Sequence, residues 1–224
     1  MFRGLLSVFA KETAVDRAFA ELNEMLEKGA WMFERANDVL HNRISAEQAS
    51  EQLYTRDQQI NDLERSIRRK ILRHLTVNPG YDVPVCLALI TVARDAERIG
   101  DYCKNVFEIS CHYSEGFHVP KYHDPLEQIS AQTLEIFSIV ADACQNNSQE
   151  GRALETKKQT RDIQDRCDQI ITEIFEDETQ IEFHEAVAYT LLARHYKRVA
   201  AHLFTVASVV YGELAELDLS ENDY

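Results

Sequence analysis

Val15, Phe19, Leu22, Leu26, Gly29, Phe33, Ala36 and Leu40 follow one another at spacings of four and three in strict alternation. Such a pattern lines one side of a helix and has no place in a strand, where side chains repeat every second residue. It is a bundle seam, and it predicts a first helix from about Thr13 to Asn42. Leu53, Ile60, Ile67 and Ile71 mark a second helix, opened by a Ser45–Gln48 capping box and running to about Leu75. After the turn Asn78-Pro79-Gly80, the seam Val92, Ala96, Ile99, Cys103 and Val106 predicts a third helix from near Asp82 or Pro84 to before Gly116. Seven glycines and four prolines, mostly between seams, favour long helices over many short strands.

Gly116–Pro125, with two prolines, reads as the one substantial linker. A fourth helix is expected over Leu126–Gln145, through Ile129, Ile136 and Val140. A fifth runs from a cap at Ser148 to Phe175, through Ile163, Cys167, Ile170 and Ile174. A sixth extends from about Glu182 to Leu217, before a polar tail from Ser220. The second half repeats the first. ARDAERIGDYCKNV at 93–106 aligns without a gap on ARHYKRVAAHLFTV at 193–206, and an offset of 104 pairs Asn61 with Asp165 and Glu64 with Asp168. The expected fold is all-α: two tandem similar three-helix bundles, residues 1–116 and 117–224, packed into one rod. A 30-residue helix, about 45 Å long, sets its scale.

The formal net charge of −14 opposes a nucleic-acid role and favours cations or a basic partner. Five widely spaced cysteines without a CxxC pair read as reduced, mostly buried thiols of an intracellular protein. The longest apolar stretch, Val83–Ala93, contains Pro84 and is too short to span a bilayer. The opening MFRGLLSVFAK has a short apolar part and no convincing cleavage site. Phe2, Leu5, Leu6 and Phe9 instead suggest an amphipathic turn against the body, a membrane or a partner. Cytoplasmic localisation is the expectation.

Beside the third seam, Glu97, Asp101 and Asn105 stand at i, i+4 and i+8, on one helical face. On the second helix Asp57, Asn61 and Glu64 form a similar line. Joined by a short turn, these helices are antiparallel neighbours, so Asn61, Glu64, Glu97 and Asp101 can share an oxygen-rich site suited to Mg²⁺, Mn²⁺ or iron. The plainer alternative is a solvated acidic face with Arg65, Arg68, Arg94 and Arg98 as ordinary ion-pair partners. In the second repeat Lys197 replaces Glu97, Ala201 replaces Asp101 and His195 replaces Asp95; a lysine there opposes an equivalent cluster. His195 and His202, with Asp168 within expected reach, read as packed side chains more than ligands. Glu115 and His118 have ExxH spacing but fall in a loop, and the adjacency of Cys111 and His112 does not align their side chains. No phosphate-cradling loop, nucleophile elbow or zinc helix occurs. The run Arg65, Arg68, Arg69, Lys70 and Arg73 reads as a solvated helix side, basic enough to dock a partner's acid or phosphate.

With its duplicated layout, INDLE at Ile60–Glu64 and AERIGDYCKNV at Ala96–Val106, the chain resembles the PhoU family, accessory proteins of bacterial phosphate uptake and signalling. The resemblance covers almost the full length. It implies two three-helix bundles and an acidic motif that binds iron, zinc or other cations in some members. That motif falls here on Glu97 and Asp101, supported by Asn61, Glu64 and Asp57. It also implies non-catalytic action through a phosphate permease component or a sensor kinase, a homodimer, and peripheral membrane association through a transporter. The sequence departs from the family at Lys197 through Ala201, which leaves one cluster or none. A metal-dependent enzyme using Glu97 and Asp101, or a metal-free helical adaptor, are the alternatives.

Overall fold

The computed structural model describes residues 13–80, 82–146, 150–178 and 181–212. These residues form six helices and no strand: α1 (Ala14–Leu40), α2 (Ala46–Val77), α3 (Val83–His112), α4 (Pro120–Asn146), α5 (Glu150–Phe175) and α6 (Phe183–Val210). α1 and α2 start where their sequences say they should. The Thr13 hydroxyl accepts from the Asp16 N–H at 3.0 Å while the Asp16 carboxylate accepts from the Thr13 N–H at 2.9 Å. Ser45 and Gln48 repeat the exchange at 3.3 and 3.0 Å. Each box satisfies two N–H groups that a helix start leaves without partners. The expected Ser148 cap, the end at Leu217, the Ser220 tail and the apolar residues Phe2, Leu5, Leu6 and Phe9 lie outside the described residues.

The linker is shorter than expected. α4 begins at Pro120 instead of Leu126, and Pro125 lies inside it. Pro120 suits a first helical position, where the missing N–H has no intrahelical acceptor; Pro125 forfeits a single bond, to the Lys121 carbonyl. What fixes this start is a residue far away in sequence. Glu185, buried in the first turn of α6, accepts from the N–H groups of His118 and Val119 (the latter at 3.2 Å) and from the Tyr189 hydroxyl at 3.0 Å. A remote carboxylate therefore ties down the backbone just ahead of α4.

Helices α1, α2 and α3 pack on one another, as do α4, α5 and α6, with α4 and α5 in the loosest contact. The two trios join through α1 against α4 and α3 against α6, while α2 and α5 stay within their own trio. One buried apolar cluster runs through both. Gly29 explains the closeness of the join: a Cβ there would meet Phe137 of α4 at 3.3 Å and Ile99 of α3 at 3.4 Å. Phe33 of α1 then packs against Phe137 and, edge-on, against Tyr196 of α6. The Tyr196 hydroxyl donates to Asn37, whose amide in turn donates to the Phe33 carbonyl at 2.8 Å. Each large side chain buried in this way contributes roughly 1.5–3 kcal/mol. Among the described residues no helix is long and apolar enough to cross a membrane.

Candidate functional site

The acidic face lies beside a close approach of α2 and α3. Gly100 permits that approach, because a Cβ on it would stand 3.1 Å from the Ile60 terminal methyl. Glu97, three residues before Gly100, is held above the usual carboxylate range by burial and then by the charge of Asp101, with Glu64 adding to the effect and Arg98 and Arg94 opposing it. Charges from both helices, Asp101 on α3 and Glu64 on α2, therefore act on Glu97. Asn61 is half-buried on α2, three residues before Glu64. The Glu97 Oε2 atom is buried and has no hydrogen-bond partner among the described residues; the Arg98 Nε lies 3.9 Å from it.

The chain supplies its own cations to this face. Lys104 Nζ donates to Asp101 at 3.0 Å and to the two oxygens of Asp57 at 3.2 and 3.3 Å. Arg68 Nε lies 2.7 Å from Glu64, and Arg98 reaches Asp101 at 3.9 Å. Burial pulls the Lys104 ammonium towards its neutral form, but its hydrogen bond to Asp101 and the charge of Asp57 outweigh that and hold its pKa above the ordinary value. Among the described residues no group of three or more His, Cys, Asp or Glu side chains is placed to hold one metal ion. In kind, the donors suit a hard cation: an amide and three carboxylates, one of which has an oxygen without a hydrogen-bond partner among the described residues. In arrangement, Lys104 holds the ground between Asp57 and Asp101. Sequence reasoning named arginines as the ion-pair partners and missed this lysine. Its spacing of three from Asp101 was the available signal.

The second repeat resolves the same positions differently. Lys197 Nζ lies 2.6 Å from Asp168, and these are the counterparts of Glu97 and Glu64. Two like charges in one repeat are thus an ion pair in the other. Asp165, the counterpart of Asn61, lines a cleft of about 400 Å³ between α4 and α5, together with Glu135, Asp162 and Arg166. Asp168, which the spacing allowed to approach the α6 histidines, is instead paired with Lys197. His202 Nδ1 instead stands 2.7 Å from Asp95 of α3, and Tyr102 stacks on His202 at 5.6 Å and lies 5.8 Å from His195. Asp95 corresponds to His195 and Tyr102 to His202 at the 100-residue offset, so the two contacts exchange when the repeats are exchanged. This cluster forms a seam between trios.

Residues 22–110 match the family model of the PhoU domain. The PhoU match contains both the INDLE and AERIGDYCKNV segments, and with them the whole α2–α3 acidic face. The chain is also 33% identical over 70 residues to the phosphate-specific transport system accessory protein PhoU homolog 2 of Thermotoga maritima. That match covers 31% of this chain and only 29% of the length of the relative. In fold it is similar to the crystal structure of PhoU from Pseudomonas aeruginosa, with a TM-score of 0.76 and 20% identity over 88% of this chain and 95% of that one. It is likewise similar to the phosphate transport system regulatory protein PhoU from Streptococcus pneumoniae, with a TM-score of 0.70 and 19% identity over 92% and 98%. The all-α architecture is thus a PhoU fold.

Proposed function

We propose that this chain is a PhoU-family protein and a non-catalytic regulator of phosphate transport or phosphate-starvation signalling, acting in the cytoplasm through contacts with a phosphate permease component or a sensor kinase. The PhoU-domain match over residues 22–110 carries this reading, and the name of the Thermotoga maritima relative supports its link to phosphate. Burial pushes the Cys144 and Cys167 thiols up to about 12, which makes these two poor nucleophiles. The proposal includes a homodimer, and peripheral contact with the membrane through a transporter.

Within the same reading, iron, zinc, manganese or magnesium would be held by Asn61, Glu64, Glu97 and Asp101. Such an ion would supply a fixed positive charge between α2 and α3. Lys104 and Arg98 are its competitors for the same carboxylates, and that competition favours a metal-free adaptor as the second reading. Affinity capture from phosphate-replete and phosphate-starved cells, with metal content measured on the same purified protein, is the test. Recovery of a phosphate permease component or a sensor kinase is the expected result. Recovery of neither under both conditions overturns the regulatory reading. Metal-dependent turnover lost with Glu97 and Asp101 would make the chain an enzyme.

A further inference from the structure

Residues 65–81 carry five of the chain's 24 basic side chains and no aspartate or glutamate, in a protein of net charge −14. Arg65, Arg69 and Arg73 stand four residues apart on α2, opposite the buried Ile60, Ile67 and Ile71, so they form a straight outward row about 12 Å long. Lys70 and Arg68 turn to the sides of the row and are neutralised within the bundle, Lys70 by Glu21 at 2.6 Å and Arg68 by Glu64 at 2.7 Å. Arg65 meets only the equally exposed Asp62. Among the described residues neither Arg69 nor Arg73 has a carboxylate within ion-pair distance. Leu72 lies on the same outward face and is 61% exposed, and Val77, one turn beyond Arg73, is 71% exposed.

We propose that this face of α2 is a docking surface for an acidic amphipathic helix of a partner protein. The proposal rests on the reading that the chain works through protein contacts, and it names the chemistry of one such contact. A small anion meets one or two guanidinium groups. A helix with carboxylates at i, i+4 and i+8 rises at the same rate as α2 and meets all three, bidentately where geometry allows. Leu72, between Arg69 and Arg73, offers an apolar anchor that a free phosphate does not use. A broad anionic surface would also face the acidic remainder of the molecule within a screening length of about 8 Å, whereas a single helix covers the arginine row alone.

The probe is a synthetic helical peptide with glutamate at three positions four apart and a leucine between them, titrated against the full chain by fluorescence anisotropy. Binding that weakens with added salt, falls at least tenfold in R69E/R73E and falls several-fold in L72S is the expected result. Circular dichroism checks that these exposed substitutions leave the helices intact. Equal binding by wild type and R69E/R73E overturns the proposal, as does absence of binding by either. Preference of the wild type for phosphatidylglycerol vesicles over the peptide makes the face a membrane contact and also overturns it. So does a dimer, seen by analytical ultracentrifugation, that disappears in R69E/R73E. Loss of the peptide while a phosphate-transport partner is still captured by R69E/R73E would reject this surface and leave the regulatory reading standing.

Discussion

Lys197 holds Asp168 at 2.6 Å, whereas the two matching positions of the first repeat, Glu97 and Glu64, are both carboxylates. Where an internal cation already completes the second repeat, the first leaves a net negative face that Lys104, Arg68 and Arg98 cover from the side. Any metal should therefore choose the first repeat. Titration calorimetry with Fe²⁺, Mn²⁺, Zn²⁺ and Mg²⁺ should find specific binding abolished in E97A/D101A and nearly unchanged in K197A. K104M should bind about tenfold tighter than wild type, a gain of about 1.4 kcal/mol, because the competing ammonium is gone. Equal affinity in wild type and E97A/D101A would remove the first-repeat site.

Glu97 is ionised at a cost. Burial and the charge of Asp101 raise its pKa in the folded chain above the ordinary 4.5. The folded state thus holds its proton more tightly than the unfolded state, and the stability that this proton confers is lost as pH rises through the raised value. E97Q keeps the shape and removes the charge, so in the absence of metal it should melt about 1–3 °C higher than wild type at pH 7. The advantage should vanish below pH 4. Melting curves at both pH values decide it, and a lower melting point for E97Q at neutral pH would contradict the burial argument.

Acid should loosen the molecule before its carboxylates titrate. His195 is held below the ordinary 6.5 by burial and then by Arg194, and its Nδ1 has no partner among the described residues. His41 is lowered by burial and then by Arg43 and His123. Both bind protons more readily in the unfolded chain. Stability present above pH 6.5 should fall as pH drops from there through the depressed folded values. Urea midpoints measured from pH 8 to pH 5 should decline, and H195N should decline less steeply. A flat profile for wild type over that range would rule this out.

Removing the Glu185 carboxylate should release the start of α4. E185A leaves the His118 N–H without its acceptor, and the Val119 N–H and the Tyr189 hydroxyl with only each other and the Val119 carbonyl, at a cost of about 2–3 kcal/mol. Calorimetric melting should drop by about 4–12 °C for a chain of this length. E185Q retains an acceptor oxygen and should lose less than half as much. Equal losses in the two variants would locate the effect in packing.

The seams, the Ser45 cap and the duplication were legible because each is carried by residues within one helix or one fixed offset. Pro125 was misread as part of the linker for the opposite reason: the start of α4 is set by Glu185, more than sixty residues away, which no local pattern announces. The candidate site divides in the same way. Four oxygen-bearing residues could be placed on facing helices from spacing alone, and the charges of Asp101 and Glu64 both reach Glu97. That Lys104 would bend towards Asp57 depended on the register between α2 and α3, which is fixed by Ile60 packing onto Gly100. The pairing of His202 with Asp95 needed the contact between trios.

Asn37 and Tyr196 are joined by a hydrogen bond across 159 residues of chain. At 5–20 residues per second, a ribosome makes Asn37 roughly 8–30 s before its partner exists. Throughout that interval the flank of α1 around Gly29 and Phe33 lacks Tyr196, and for roughly the first 5–20 s it lacks Phe137 as well, so it stands as an incompletely covered apolar surface on a nascent three-helix unit. Rare codons or a premature stop between α3 and α6 would therefore act on solubility in the cell well before they act on any binding property of the finished protein.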